Sequence, residues 1–221
     1  MQRLIDLFFS MFILIVLSPL LLPVILILKF TGEGEIFFVQ KRIGLNVKPF
    51  WIKKFATMLK NSPNEGSGTV TLKDDPRILP MGRLLRKTKI NELPQLINIF
   101  KGEMSFIGPR PQTQRCFEVF PIEYQAVITE VLPGLSGIGS LIFRNEEEML
   151  HGQQNGIYFY DNIIMPYKGK LEEWYVQNQS LKAYFLLIIL TVWVLVVKKS
   201  RLPWLIFRDL PKPPNELIGY L

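Results

Sequence analysis

The segment from Leu7 to Leu28 constrains this chain most, because its 22 residues carry no charge. About 20 consecutive apolar residues are enough to cross a bilayer as a helix. A cleaved signal peptide is not indicated, since the run is too long for a signal core and no small-residue cleavage site follows it. Arg3 and Asp6 also make only a weakly charged start. The sequence therefore predicts that this segment attaches the chain to a membrane.

Ser18 and Pro19 lie in the middle of this run. A proline removes a backbone donor and kinks or breaks a helix, and a serine hydroxyl can bond to a freed carbonyl. One interpretation is a spanning helix with a tolerated kink. The other is a helix-break-helix hairpin, residues 1–30, that enters one leaflet and returns. Charge favours the hairpin, because basic residues prefer the cytoplasmic side. They flank both ends: Arg3 before the run, and Lys29, Lys41, Arg42, Lys48, Lys53 and Lys54 after it.

A second apolar run, Ala183 to Val197, is short for a membrane span. Its flanks are basic on both sides: Lys182 before it, and Lys198, Lys199 and Arg201 after it. We expect residues 181–221 to form a helix on the inner leaflet, followed by an interfacial tail rich in Trp, Phe and Arg. The alternative is that Ala183 to Val197 is a buried core helix.

Residues 31–180 are predicted to form a cytoplasmic, globular α+β domain. The candidate strands Ile36–Val39 and Pro49–Ile52 flank a turn at Gly44–Asn46. Cys116 is the single cysteine, which excludes a disulfide scaffold. His151 is the single histidine, which argues against zinc hydrolases and Ser-His-Asp hydrolases.

A basic cluster precedes a predicted helix in the segment from Lys73 to Pro111. The cluster comprises Arg83, Arg86, Lys87 and Lys89. Asn91 occupies the position of an N-cap, Glu92 falls in the first turn, and Gly102 ends the helix. Because a helix N-terminus presents free N–H groups and partial positive charge, this arrangement predicts an anion site. Two simpler interpretations remain open: a basic face for anionic lipid head groups, and plain capping by Asn91.

Three further cations are candidates for binding the same anion: Lys54, Arg110 and Arg144. Pro109 and Pro111 enclose Arg110 and stiffen its backbone, and the forked guanidinium suits phosphate or a uracil carbonyl. Glu92 lies among these cations. Mg²⁺ in phosphate sites is usually held by one or two carboxylates and by substrate oxygens. Glu92 is therefore the predicted Mg²⁺ ligand.

Short motifs follow one another in a specific order along the chain: Gln40-x-Arg42-x-Gly44, Lys54-Phe55-x-Thr57-Met58, Asp75-Pro76-Arg77, Gly82-Arg83-x-Leu85-Arg86-Lys87, Glu92-Leu93-Pro94-Gln95-Leu96, Lys101-Gly102-Glu103-Met104-Ser105 and Gly108-Pro109-Arg110-Pro111. With the N-terminal membrane segment, this order resembles the bacterial sugar transferases, the monotopic phosphoglycosyl transferases. A weaker resemblance continues through Pro133-Gly134-x-Ser136-Gly137.

The resemblance implies a re-entrant N-terminal helix and a small α/β catalytic domain on the cytoplasmic face of the bacterial inner membrane. It implies transfer of a sugar-1-phosphate from a UDP-sugar to a polyprenol phosphate such as undecaprenyl phosphate, with Mg²⁺ and release of UMP. This would be the first membrane step of a surface glycan. Ser18-Pro19 matches the hairpin break. Lys54, Arg86, Glu92 and Arg110 match phosphate-binding, acidic and nucleotide-contacting positions.

Asn91 departs from the family pattern, in which an Asp-Glu pair supplies a covalent nucleophile, and Ala56 replaces a second cation. A neutral amide cannot form an acyl-phosphate. The acceptor lipid phosphate is itself an oxyanion, so a direct displacement without a protein nucleophile remains possible. A carboxylate within Glu146–Glu148 is another candidate nucleophile.

The alternative function is a catalytically impaired relative that serves as a binding or partner subunit in glycan assembly. A homo-oligomer is left open by the sequence. No nucleic-acid partner is expected, because the aromatic stretch Tyr158–Tyr160 has no accompanying nucleic-acid signature.

Overall fold

The computed structural model of the chain describes residues 1–66, 68, 70–71, 74–151, 153–197 and 201–221, with the backbone alone at 195 and 196. These residues form two compact units. Unit 1 comprises Met1–Lys41 and Phe50–Met104, and unit 2 comprises Arg42–Pro49 and Ser105–Leu221. The predicted basic flank at Lys198 and Lys199 lies outside the described residues.

Unit 1 combines a long helix, a strand pair and two short helices: α1 (Gln2–Phe30), β1 (Phe37–Ile43), β2 (Pro49–Phe55), α2 (Pro80–Lys87) and α3 (Gln95–Lys101). The turn between β1 and β2 belongs to unit 2. Unit 2 continues with short elements and two longer helices: β3 (Ser105–Ile107), α4 (Gln114–Glu118), α5 (Ile122–Ile128), β4 (Gly134–Ser136), α6 (Ile138–Ile142), α7 (Glu146–His151), α8 (Gly156–Phe159), α9 (Met165–Gln177), α10 (Leu181–Val196) and α11 (Leu202–Ile206). The expected mixture of helix and strand is confirmed.

Helix α1 runs without interruption through Pro19 and Pro23. The Ser18 hydroxyl donates to the carbonyl of Ile15 at 2.8 Å. Residue 15 lies four positions before Pro19, so this is the carbonyl that the missing proline N–H leaves without a helical donor. Among the described helices, α1 is long and apolar enough to cross a membrane, with a mean hydropathy of 3.0 in its most apolar window. A re-entrant hairpin is not shown.

Both ends of α1 contact other elements of unit 1. The Arg3 guanidinium donates to the carbonyls of Ile99 at 2.5 Å and Phe100 at 2.7 Å, in the last turn of α3. A cation at a helix C-terminus satisfies terminal carbonyls and complements the helix dipole. Near the other end, Val24 and Leu28 are buried in one cluster with Phe55 and Leu85. Between these contacts lie exposed apolar side chains: Phe8, Phe12, Ile15, Val16, Leu20 and Leu22.

The predicted β-hairpin is confirmed, and its two strands are longer than the sequence predicted. β1 and β2 pair in a two-stranded sheet. The turn is closed by the Gly44 N–H, which donates to the carbonyl of Lys48 at 3.0 Å. Asn46 adopts a left-handed conformation with φ of 52°, which asparagine tolerates better than most residues. The hairpin carries Lys54 near the end of β2.

In unit 2, β3 and β4 pair in parallel, with Ser105 opposite Gly134 and Ile107 opposite Ser136. A Cβ at Gly134 would lie 2.1 Å from the backbone nitrogen of Gly108. No real Cβ tolerates that distance, so the two glycine motifs are required by the close approach of two backbones. Helix α9 packs against α5 and α6, with Leu171 and Tyr175 buried.

Helix α10 buries one face and exposes the other, although both are apolar. Its buried residues are Ala183, Tyr184, Leu187, Leu190 and Val194. Its exposed residues are Phe185, Ile189, Val192 and Trp193. The alternative prediction, a buried core helix, therefore holds for one face of α10 only. The opposite face fits the predicted contact with the inner leaflet, which stays a prediction.

Candidate functional site

Lys54 and Glu92 come together in unit 1. The Lys54 Nζ lies 3.1 Å from Oε1 of Glu92, and their side chains are 17% and 15% exposed. Lys54 lies in strand β2 of the β-hairpin, and Glu92 lies in a 3₁₀ turn formed by Ile90–Glu92. A partly exposed cation next to a partly exposed carboxylate is suited to binding a phosphate and a metal ion at one place.

Asn91 is not the N-cap of α3, which corrects the sequence prediction. The helix begins at Gln95, with Pro94 as its cap residue, and Asn91 lies four residues earlier in the 3₁₀ turn. Backbone hydrogen bonds between residues three apart close this turn instead; for example, the Leu93 N–H donates to the carbonyl of Ile90 at 3.1 Å. Asn91 is buried, and within the described part of the chain its Oδ1 has no hydrogen-bond partner.

Arg86 is positioned by a glycine one turn earlier in α2. A Cβ at Gly82 would lie 2.1 Å from the carbonyl oxygen of Thr57, so α2 lies directly on the backbone that follows β2. Residues four apart share a helix face. Arg86 therefore lies over the same segment, with Nη1 3.9 Å from the sulfur of Met58. The glycine-arginine spacing in the motif follows from this packing.

Arg110 belongs to unit 2, in the segment that leaves β3. Pro109 and Pro111 on either side of it are buried, while Arg110 is half-buried. Arg144 is also half-buried, between α6 and α7. The structure thus brings Lys54, Glu92, Asn91 and Arg86 into one unit and assigns Arg110 and Arg144 to the other.

Glu146 is engaged elsewhere in unit 2. Its Oε2 accepts a hydrogen bond from the Nζ of Lys168, which is 2% exposed and faces the rings of Phe143 and Tyr160. A carboxylate held by a buried ammonium is a poor nucleophile. This ion pair argues against Glu146 as the replacement for the family's aspartate.

The sequence interpretation missed a buried ion pair in unit 1. Arg77 binds Asp75 through Nε at 2.8 Å and Nη2 at 2.5 Å. Its guanidinium also donates to carbonyls of the preceding loop: those of Ser62, Glu65, Gly68 and Val70. Arg77 thus organises this loop through its carbonyls, whereas the sequence showed only an Asp-Pro-Arg motif.

Glu172 on α9 was also missed. It is 1% exposed, and its Oε1 accepts from the backbone N–H of Arg110 at 3.2 Å. Burial raises the pKa of the Glu172 carboxyl to about 7, and the Arg110 amide and the charges of Lys168 and Arg110 offset this only partly. Only the tertiary structure places this carboxyl, since the two residues are 62 positions apart.

The Glu172 carboxyl should make folding stability depend on pH. Between pH 4.5 and about 7 the folded protein binds more protons at this site than the unfolded chain. The contribution of this carboxyl to stability is therefore greatest below pH 4.5 and is lost as the pH rises from 4.5 through about 7. The difference between pKa values of 4.5 and about 7 corresponds to about 3 kcal/mol. Melting temperatures in detergent at pH 5 and pH 8 should differ less for Glu172→Gln than for the wild type. An equal difference would contradict this assignment.

No group of three or more His, Cys, Asp or Glu side chains that could hold a metal occurs among the residues the structure describes. The donor set around Glu92 is one carboxylate, with the amide oxygen of Asn91 beside it in the chain. Such a set fits Mg²⁺ only when substrate phosphate oxygens complete the coordination, which is the usual arrangement for this ion.

Comparison with known proteins agrees with the motif order. A family model for bacterial sugar transferases matches residues 1–198. The exopolysaccharide production protein ExoY of Sinorhizobium fredii is 32% identical over 205 residues, 86% of this chain and 83% of that protein. The uncharacterized sugar transferase EpsL of Bacillus subtilis is 34% identical over 200 residues, 90% and 89% of the two chains.

A longer relative is the UDP-glucose:undecaprenyl-phosphate glucose-1-phosphate transferase of Escherichia coli. It is 33% identical over 162 residues, which cover 72% of this chain and 35% of that protein. With a family model that matches most of its length and relatives of this identity and coverage, the chain belongs to the bacterial sugar transferases, a family of sugar-phosphate-transferring enzymes.

Proposed function

We propose that the protein transfers a sugar-1-phosphate from a UDP-sugar to a polyprenol phosphate at the cytoplasmic face of the inner membrane, and releases UMP. An oxygen of the lipid phosphate attacks the β-phosphorus of the UDP-sugar. The bond from this phosphorus to the bridging oxygen breaks, and UMP leaves with that oxygen. The E. coli relative, named a UDP-glucose:undecaprenyl-phosphate glucose-1-phosphate transferase, supports this choice.

The Lys54–Glu92 pair is the observation that carries the proposal. Phosphoryl transfer depends mainly on positioning and on neutralising charge. Lys54 supplies a cation held at 3.1 Å from Glu92, and Arg86 supplies a second cation in the same unit. Arg110 is the proposed contact to the uridine diphosphate. Glu92 would hold Mg²⁺, which when bound neutralises charge on the donor diphosphate.

Asn91 directs the proposed reaction toward a single displacement. Its amide has no ionised oxygen, so the protein does not form an acyl-phosphate at this position. The lipid phosphate carries its own negative oxygens and needs no base. Both substrates must then be bound together. The second candidate function, an impaired relative that only binds these substrates, is favoured by the same asparagine.

The test is UMP release by the purified full chain in detergent, with undecaprenyl phosphate, Mg²⁺ and a panel of UDP-sugars. We expect UMP with at least one sugar, initial-rate lines that intersect, and no covalent adduct by intact mass after incubation with the donor alone. Absence of UMP with every sugar, together with retained donor binding, would favour the impaired relative. An adduct on the wild type would contradict the single displacement.

The re-entrant arrangement of α1 is part of the proposal. A helix that crosses a bilayer separates its ends by roughly 30 Å on opposite faces. Arg3 at one end and Leu28 near the other both contact unit 1, and the residues between them expose apolar side chains. These contacts support a helix that dips into one leaflet, with both ends on the cytoplasmic side. Exposed apolar residues of α10 support a second contact with that leaflet.

Cysteines introduced at both ends of α1 should be protected from an impermeant maleimide applied to intact spheroplasts. Suitable changes are Gln2→Cys and Thr31→Cys. Gly32 is avoided, because its φ is 58° and a Cβ there would lie 3.0 Å from Leu79. Cys116, the single native cysteine, is buried. Both positions should react after permeabilisation. Labelling of either one from outside would rule out the arrangement with both ends of α1 on the cytoplasmic side.

A further inference from the structure

The segment from Ile107 to Pro111, which carries Arg110, is fixed to its neighbours through its backbone. The Gly108 N–H donates to the carbonyl of Ser136 at 3.0 Å, and the Gly134 N–H donates to that of Pro109 at 2.8 Å. The Arg42 guanidinium donates to the carbonyl of Pro111 at 3.2 Å. The backbone on both sides of Arg110 is therefore held by direct hydrogen bonds within unit 2.

Helix α9 completes this set with two side chains three residues apart. The Tyr175 hydroxyl donates to the carbonyl of Ile107 at 3.1 Å, and Glu172 accepts from the Arg110 N–H at 3.2 Å. Both side chains are buried, at 3% and 1% exposure. Residues three apart lie on one helix face, so a single face of α9 grips both ends of the turn that leads into Arg110.

A carboxyl group is energetically unfavourable at the buried position of Glu172. A carboxyl that is 1% exposed loses its hydration, and buried polar groups without partners destabilise a protein. Lys168, one turn earlier on α9, is paired with Glu146. The Glu172 Oε2 has no hydrogen-bond partner within the described residues. Its observed hydrogen bond is the one from the Arg110 amide, and α6 fits against it closely, since a Cβ at Gly139 would lie 2.5 Å from Oε1.

We infer that Glu172 is a positioning residue, which holds the Arg110 amide so that the guanidinium meets the phosphates of the sugar nucleotide. The inference rests on the proposed function for the role of Arg110. The amide nitrogen is bonded to the Cα of Arg110, so fixing it fixes the direction in which the side chain leaves the backbone. Misplacement of a binding group by about 1 Å can cost a hundredfold in rate.

The experiment compares three variants of the full-length protein. Glu172→Leu keeps similar volume but removes the acceptor, and Glu172→Gln keeps a carbonyl oxygen that can accept from the Arg110 amide. Glu173→Gln, the adjacent carboxylate on α9, is the matched control. The first measurement is hydrogen exchange of the peptide that contains Arg110. We expect exchange at least about tenfold faster in Glu172→Leu, and near-wild-type exchange in the other two, since a lost hydrogen bond removes protection.

The second measurement separates positioning from folding. We expect the KM for the UDP-sugar to rise roughly tenfold in Glu172→Leu, with the KM for undecaprenyl phosphate unchanged. Glu172→Gln should restore the donor KM. A merely structural role would lower kcat in proportion to the folded fraction and leave the donor KM alone, and this result would overturn the inference. So would unchanged exchange at Arg110.

The two proposals fail differently. If the wild type releases no UMP from any sugar nucleotide, the proposed function falls and the donor role of Glu172 falls with it. The exchange rates would still decide whether Glu172 holds the Arg110 amide. Faster exchange in Glu172→Leu, in a protein that does release UMP but has an unchanged donor KM, would overturn the inference alone.

Discussion

Glu92→Gln should abolish metal-dependent turnover while the protein stays folded. The substitution keeps the size of the side chain and an oxygen that can accept from Lys54 Nζ, now 3.1 Å from Oε1. The glutamine amide oxygen can still accept a hydrogen bond from Lys54, so the ammonium keeps a polar partner and the melting temperature should change by only a few degrees. Turnover should fall by roughly a thousandfold, because Mg²⁺ would lose the one carboxylate proposed to hold it.

UMP release at saturating Mg²⁺ and the melting temperature in detergent measure the two effects. Glu130→Gln is a suitable control, since it removes the same charge from an exposed position in unit 2. More than a tenth of wild-type turnover in Glu92→Gln would remove this carboxylate from the reaction. A loss of turnover accompanied by unfolding would identify the pair as structural.

Arg77→Met should cause a large loss of folding stability, in contrast to Glu92→Gln. Arg77 is 5% exposed and Asp75 is 4% exposed, so the substitution leaves a buried carboxylate without its cation. Four loop carbonyls also lose their donor. Breaking a buried pair on one side costs about 3–5 kcal/mol. For a chain of this size that lowers the melting temperature by roughly 10 °C.

An exposed ion pair in the same unit provides the control. Lys60 and Glu35 are 2.7 Å apart, but their side chains are 74% and 45% exposed. Lys60→Met should leave the melting temperature unchanged, because exposed pairs are screened by solvent. The double variant Asp75→Asn, Arg77→Met should melt above Arg77→Met alone, since it removes the buried charge. If Arg77→Met and Lys60→Met melt alike, the buried network does not stabilise the loop.

The sequence predicted local elements well, and it predicted contacts between distant residues poorly. The β1–β2 hairpin depends on alternating side chains and a nearby turn, and it is present. On α3, the apolar residue Phe100 is 42% exposed, whereas the polar residue Asn98 is fully buried. The Asn98 side chain accepts from the Lys53 N–H at 3.1 Å and donates to the carbonyl of Trp51 at 2.8 Å. It thus extends the hydrogen bonding of β2, and nothing in the local sequence around Asn98 signals this.

The candidate site was also predicted only in part, because it depends on contacts between residues that are distant in the chain. Lys54, Arg86 and Glu92 were identified from the charges around a predicted helix and again from the family motifs, and the structure joins Lys54 to Glu92 across 38 residues. Arg77 and Glu172 are charged residues that a sequence pattern assigns to the surface. Both are buried because they bind backbone groups, and backbone partners leave no trace in side-chain periodicity. Asn91 was taken for a cap because the proline three residues later was counted as the first turn of the helix.

The bonds from Arg3 to the last turn of α3 impose an order on synthesis. Their partners lie 96 and 97 residues further along the chain. A ribosome adds roughly 5–20 residues per second, so α1 is complete several seconds before α3 exists. Under the proposed membrane attachment, α1 therefore enters the bilayer first, and the hydrogen bonds from Arg3 to α3 form afterwards.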